Sequence, residues 1–479
     1  MKRYSVLFFL ALSVTGMLLL VQCNSNSESG KTVTVNTTVS ASPDSLCLVQ
    51  PSWFPHTQTP PPQEGPGSPF DTSSTTNQIF HQWSWNKFLW LTKPDAGGNP
   101  LFLNQQLVKQ ITTQMQPVTV PAGVTVVLQD IAQAGSAQAV LRSNPGYNNG
   151  NGDTVFYSIH MNPIMYNFSD SIIKAGVPAA NSITFPVGSF EMKVSWVPAT
   201  AIPASKLSMY YTATAALSRD GGKTFTNTVM ALTGMHVVGV VQNHPEFIWA
   251  TFEHHDLAPN YDWKANTASS PADKLLFISG SVRGIGGIVY DTTTKMGQTP
   301  YHVFDLFQYG VPVDSTGGFI TTSQQEPINF SNVQGINQCV QGQLQDVWKN
   351  YFYNGSLWLN MDGTTPPQQA HIIDSLNYNI SNATPGSFAR GSMNCANVTM
   401  ETFTQTFQTS IAKVNVNTLA NCFSCHHSPS FVSAQNTSPL YLSHVFQDNL
   451  LSHQGNSVQK VESIKLNEER LILRRLRSN

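Results

Sequence analysis

Between Phe185 and Glu253 the chain carries the two-residue period of a sheet. Phe185-Pro-Val-Gly-Ser-Phe-Glu-Met-Lys-Val-Ser-Trp196 turns and then alternates apolar with polar residues, as a half-buried strand does. Ser208 to Leu217 and Gly234 to Val241 read the same way, and Glu246 to Glu253 is apolar and aromatic, as a buried strand is. Composition agrees. Charged residues make up 11% of the 479, against a usual ~25%, and Thr, Ser, Asn, Gly and Pro are abundant, which suits strands and turns better than long helices. The net charge is only -2. No basic domain or stripe of the kind phosphate binding needs is present, so the balance gives no case for nucleic acid as a partner.

At ~100–200 residues per domain the length allows two or three domains. Residues 46–75 are rich in Pro, Gly and Ser and read as an irregular lead-in. His81, Trp83, Trp85, Phe88, Leu89 and Trp90 follow as a short buried helix that ends at Pro94, although Trp83, Phe88 and Trp90 cannot share one helical face. Trp83, Trp85, Trp90, Trp196 and Trp249 could line a cavity, but by their area they are expected in a core. Val118 to Val127 reads as a strand, Asn144 to Asp153 as a loop, and the glycines of 280–287 as a turn rather than a dinucleotide fingerprint. Helical spacing returns with Val340, Leu344, Val347, Trp348 and Tyr351, and again over 398–418. The tail, 458–479, mixes charges and leucines.

The N-terminus has the form of a targeting segment. Lys2 and Arg3 precede an apolar run from Val6 to Val21, then Gln22-Cys23 and a polar stretch. This is similar to a lipoprotein signal with Cys23 as the lipidated first residue, followed by a flexible tether over 24–45; an ordinary secretory signal with an incidental cysteine is the other reading. After residue 30 no stretch is apolar enough to span a bilayer. Of the six cysteines, removal of Cys23, Cys422 and Cys425 leaves Cys47, Cys339 and Cys395, enough for one disulfide and one thiol. Cys339–Cys395 is the preferred pair, though connectivity does not follow from sequence.

Cys422-Phe-Ser-Cys425-His426 is the strongest chemical signal. Covalent haem c needs two thiols to add to two vinyl groups and an adjacent imidazole to bind iron, and C-x-x-C-H spacing sets all three on one turn. With 6 Cys and 13 His in the chain, chance would give roughly 0.002 such matches. A zinc site would need a second pair of ligands, a thioredoxin-like dithiol would need a βαβ context, and a disulfide across this loop would be strained. His426 is then the proximal ligand. No methionine follows Met400, so a downstream Met is excluded as the sixth ligand. His444, in the apolar stretch Leu440 to Phe446, is the first candidate, ahead of Met393 and Met400; His427 and His453 are further ones, and an open iron is the alternative.

A second group of histidines and carboxylates lies in His236 and in His244-Pro-Glu-Phe-Ile-Trp-Ala-Thr-Phe-Glu-His-His-Asp256. Glu246, Glu253, His254 and His255 could ligate a metal or act as acid and base. Adjacent His254 and His255 face opposite ways on a strand, so hydrogen-bonded strand residues are the simpler expectation. No G-x-S-x-G motif signals a serine nucleophile.

With these residues in view, the chain resembles a poorly characterised bacterial family of periplasmic lipoproteins with a single C-terminal c-type cytochrome haem motif. The resemblance is carried by Trp85-Asn-Lys-Phe-Leu-Trp90, Phe185 to Trp196, Met235-His-Val-Val238, Phe247 to His254 and Cys422 to His426. It implies a haem protein with a large partner domain, and its site residues carry over only at Cys422, Cys425 and His426. The expected fold class is α+β: a signal peptide over 1–23, a tether and lead-in over 24–75, a β-rich domain over 76–335, a small helical cytochrome c-like haem region over 336–457 and a tail over 458–479. The expected function is electron transfer by one covalent haem c with a redox partner protein, in the periplasm or on the cell surface, lipid-anchored to the outer membrane of a Gram-negative bacterium. The alternatives are a haem-dependent oxidoreductase or peroxidase and a haem-based sensor.

Overall fold

The structure is a computed structural model of the chain, and it describes residues 49–72, 77–132, 140–177, 183–259, 270–277, 279, 290–291, 296–297, 329–376, 389–392, 397–400 and 422–478. All of these fall in the unit Asp44–Asn479. The signal segment, Cys23, the tether, Cys47, the glycines of 280–287, Met393, Cys395 and all but the first residues of 398–418 lie outside the described residues.

The helices are α1 (Asn77–Thr92), α2 (Pro163–Ala175), α3 (Ala204–Leu207), α4 (Asn329–Gln343), α5 (Pro366–Ser375), α6 (Cys422–Cys425), α7 (His444–His453) and α8 (Val458–Ser478). The strands are β1 (Lys109–Ile111), β2 (Val126–Leu128), β3 (Phe156–Met161), β4 (Phe190–Pro198), β5 (Thr212–Leu217), β6 (Thr226–Val241), β7 (His244–His254), β8 (Tyr290–Asp291), β9 (Met296–Gly297), β10 (Tyr351–Leu359), β11 (Ala389–Gly391), β12 (Pro429–Ser430) and β13 (Ser433–Thr437). One nine-stranded sheet runs β1-β3-β4-β6-β7-β10-β11, with β5 pairing the far half of β6 and β2 pairing β5. Every pairing in it is antiparallel except β2 with β5. The chain is thus α+β, built on a large antiparallel sheet.

Both faces of the central strands are covered, and that explains why β7 reads as continuously apolar. Ile248, Ala250 and Phe252 point to one core, and Phe247 and Trp249 to the other. The first core is filled by α1. Phe88 stacks on Phe252 with ring centres 4.2 Å apart, and Trp85 meets Phe252 at 5.1 Å. The other side of α1 is roofed by the lead-in: His56 Nε2 lies 2.9 Å from the Leu89 carbonyl, and the Trp83 indole and the Lys87 ammonium each donate to Glu64 at 2.8 Å. A helix enclosed by sheet, α4 and lead-in needs no polar face, and Trp83, Phe88 and Trp90 accordingly point in different directions. At Gly239 the sheet lets the helix in, because a Cβ there would stand 2.8 Å from Trp83 Cζ2.

Several sequence expectations change in detail. Residues 118–125 are not strand: Pro121 and Gly123 interrupt the run, and the ladder with β5 is confined to Val126–Leu128. The helix expected near 338–352 divides: α4 ends at Gln343, and Tyr351 begins β10, which pairs β7. The sheet therefore takes β10 and β11 from beyond residue 336, within the region expected to be helical. Tyr351 and Tyr353 face α1, but a register shift between Tyr353 and Gly355 sends Leu357 and Leu359 to the opposite core. Cys339 on α4 is disulfide-bonded, and its partner lies outside the described residues. Among the described residues no helix is long and apolar enough to cross a membrane.

Candidate haem-attachment site

The second core, beneath Phe247 and Trp249, carries the Cys422–His426 segment together with α2, α5 and α7. Helix α6 is a single turn, and the His426 N–H closes it by donating to the Cys422 carbonyl at 2.8 Å. Residues three apart share a helical face, so Cys422 and Cys425 sit on one side of the turn. Phe423, fully buried, anchors the other side against Trp249 at 5.9 Å between ring centres. Both cysteines are thiols rather than a disulfide, and both are half-buried.

His426 is held on three sides. Its ring lies 4.4 Å from Trp249 and stacks on His444 at 4.1 Å, with 22° between the planes. Its Nδ1 is 2.8 Å from the Leu442 carbonyl. A carbonyl only accepts, so Nδ1 carries the proton and the ring lone pair belongs to Nε2, the atom a metal would take. His444 answers in the other direction: its Nε2 is 3.0 Å from the Cys425 carbonyl. Burial, reinforced by the His426 imidazole and the Lys465 charge, holds His444 well below the usual imidazole range, so it is neutral at ordinary pH.

The supports of this core include a carboxyl. Ser443 caps α7 by accepting from Phe446 N at 3.2 Å, and its hydroxyl donates to Glu191 Oε2 on β4 at 2.8 Å. Burial pushes Glu191 from 4.5 up to about 7, against the Ser443 hydrogen bond and the Lys465 charge. A carboxyl raised on folding keeps a proton that the unfolded chain releases. Its stabilising effect is complete below pH 4.5 and is lost as the pH rises to about 7. Asp374, also raised to about 7 by burial, adds to the same slope. Glu191→Gln is expected to flatten this decline by on the order of 2 kcal/mol. Urea midpoints at pH 4.5 and 8 check it, and equal declines in the two proteins would clear Glu191 of the effect.

The other expected site residues are dispersed. His427 is buried, with Nε2 3.9 Å from Glu468 of α8. His453 Nδ1 turns to the Asn449 carbonyl at 3.1 Å. Met400 is buried in a third core, among Tyr147, Tyr157 and Leu275, away from the Cys422 turn. The histidines and carboxylates of 244–256 are absorbed as strand residues. His244 Nδ1 pairs Glu246 at 2.8 Å, Glu253 accepts from Asn354 at 2.6 Å and from Val398 N at 3.0 Å, and His254 stacks on Tyr210 at 3.7 Å. His255 lies just past the strand, so the alternation expected of the pair does not apply: its ring stacks on His254 at 4.7 Å and its Nδ1 is 2.7 Å from the Asn350 carbonyl, while His236 lies on β6 opposite Thr251. Among the described residues no three His, Cys, Asp or Glu side chains group as a metal site. A cavity of about 570 Å³ opens between the end of α2, β13 and the end of α7, lined by Ile173, Asn436, Tyr441 and His453 among others, but not by Cys422, Cys425 or His426.

The donor set fits haem c. Two thiols stand on one turn beside an imidazole whose tautomer leaves the lone pair on Nε2, with an aromatic wall at Trp249. Sequence reading singled out Trp249 only as a core or cavity aromatic, and it missed the Leu442 carbonyl and Glu191. Trp249 alone had a signal, since its place in the strand period opposes it to Ile248 and Ala250. Comparisons with protein-family models, with curated proteins and with solved structures return no match to this chain.

Proposed function

We propose that the chain is an exported monohaem c-type cytochrome that acts in electron transfer. The observation that carries this reading is the tautomer of His426. Its Nδ1–H is committed to the Leu442 carbonyl beside two half-buried thiols on one turn, the arrangement that orients a ligating histidine from behind. Cys422 and Cys425 would hold the group through thioether bonds and His426 Nε2 would bind its iron. When bound, the haem supplies one-electron chemistry at the iron. The chain's own residues do the rest: Trp249 and Phe423 wall the site with apolar surface, and Leu442 fixes the ring. The half-buried turn leaves an edge through which a redox partner protein could exchange electrons. The N-terminal segment supports export, with lipid on Cys23 tethering the protein to the outer membrane in the periplasm or at the cell surface, where covalent haem attachment takes place.

A second reading, a haem-dependent oxidoreductase, peroxidase or sensor, draws support from one distance. The rings of His426 and His444 stack at 4.1 Å, whereas two imidazoles bound through Nε2 to one metal would have centres about 6 Å apart, given metal–nitrogen bonds of ~2 Å. Optical spectra of the protein matured with a c-haem attachment system separate the two. A reduced spectrum unchanged by carbon monoxide is expected for electron transfer; ready binding of carbon monoxide favours the second reading. A protein that carries no covalent haem at all would sink both.

A further inference from the structure

Two histidines close a reciprocal clasp at the base of the attachment turn. The side chain of His426 donates to the backbone of residue 442, and the side chain of His444 donates to the backbone of residue 425. Between these two bonds the rings lie face to face at 4.1 Å. Trp249 closes one end of the row and Phe431, with its ring 5.0 Å from His444 at 69°, closes the other. Phe431 is itself fixed, because its N–H donates to Gln447 Oε1 at 2.9 Å and the Gln447 amide donates to the Tyr441 carbonyl at 2.9 Å.

We propose that His444 is a positioning residue of the attachment turn and not a ligand of the iron: stacked on His426 and bonded to the Cys425 carbonyl, it holds the two thiols and the proximal imidazole in their reacting arrangement. The inference rests on the haem reading of the motif. Three observations lead to it. The atom that would ligate, Nε2, is the atom that holds Cys425. The stacked geometry sets the two rings side by side, not across a metal from each other. And a one-turn helix has too few internal hydrogen bonds to hold its own shape, so the clasp supplies the order that α6 lacks. A reacting set ordered beforehand loses less freedom when the group arrives.

The test uses the full chain carrying His444→Ala and His444→Gln, with the glutamine amide reaching close to the position of Nε2 as a donor. Alkylation of the thiols by iodoacetamide in the haem-free protein is expected to change roughly two- to tenfold in His444→Ala, the factor one neutral hydrogen bond is worth, and to be largely restored in His444→Gln. In the matured protein, His444→Ala is expected to lower covalent haem content by a similar factor, while the haem that does attach keeps the wild-type reduced spectrum and the wild-type response to carbon monoxide. Overturning results are equal thiol reactivity in all three proteins, or an iron that opens to carbon monoxide in both variants but not in the wild type, which would make His444 the sixth ligand. If the wild type takes up no covalent haem, the reading of the motif fails, and the thiol reactivities alone decide whether the clasp exists.

Discussion

Changing Cys422 and Cys425 together to alanine is expected to remove covalent haem altogether and to leave the chain folded. Each thiol is needed for one thioether bond, so no other group in the turn can replace it. Both side chains are half-buried, and the anchor of the turn is Phe423 beneath Trp249, which the substitution leaves in place. Cys422 only edges the second core, so the loss of stability should stay at about 1–2 kcal/mol, within the ordinary range for substitutions. The two measurements are haem staining of the denatured protein and the urea midpoint. Each single variant should keep part of the stain through its remaining thioether. Stain persisting in the double variant would place the group elsewhere, and a large fall in midpoint would make the pair structural.

The second large effect lies far from the turn. Phe252→Ala should cost roughly 3–5 kcal/mol, because it leaves a phenyl-sized hole where no side chain can collapse. Phe252 is fully buried, stacked on Phe88 at 4.2 Å, with Trp85 and Tyr353 both 5.1 Å away. These rings belong to α1, β7 and β10, so the hole loosens the seam between helix and sheet at its centre. A denaturant midpoint near the wild-type value would show that the helix repacks. Because Phe252 faces the core opposite to Trp249, haem content per folded molecule should change little. A parallel loss of haem would mean that the two faces of the sheet are coupled.

Legibility in the sequence followed the range of the interactions. β4, β6 and β7 were readable because alternation and continuous apolarity are local consequences of one or two covered faces. The strand phase of β10 was not. Tyr351 and Trp348 continue the helical spacing of Val340 and Leu344, and only pairing with β7, with its register shift near Gly355, converts that stretch to strand. The same limit acted at the site. Cys422, Cys425 and His426 stand in one turn, so their spacing alone announces the chemistry, whereas the groups that hold His426 come from residues 249, 442 and 444.

The amino-acid sequence by itself determined that strands run through 185–253 and that the chain carries two thiols and an imidazole at haem-attachment spacing. Both are properties of neighbours within a few residues. That both faces of those strands are covered came only from the structure. The tertiary structure alone decided that α1 is enclosed by the lead-in, that β10 joins the sheet beside β7 and that Trp249 stands against His426. It also set Nε2 of His444 on the Cys425 carbonyl. Those depend on the free energy of burying surfaces far apart in the chain, and a hydrogen-bond donor such as His444 takes whichever acceptor that packing brings within reach.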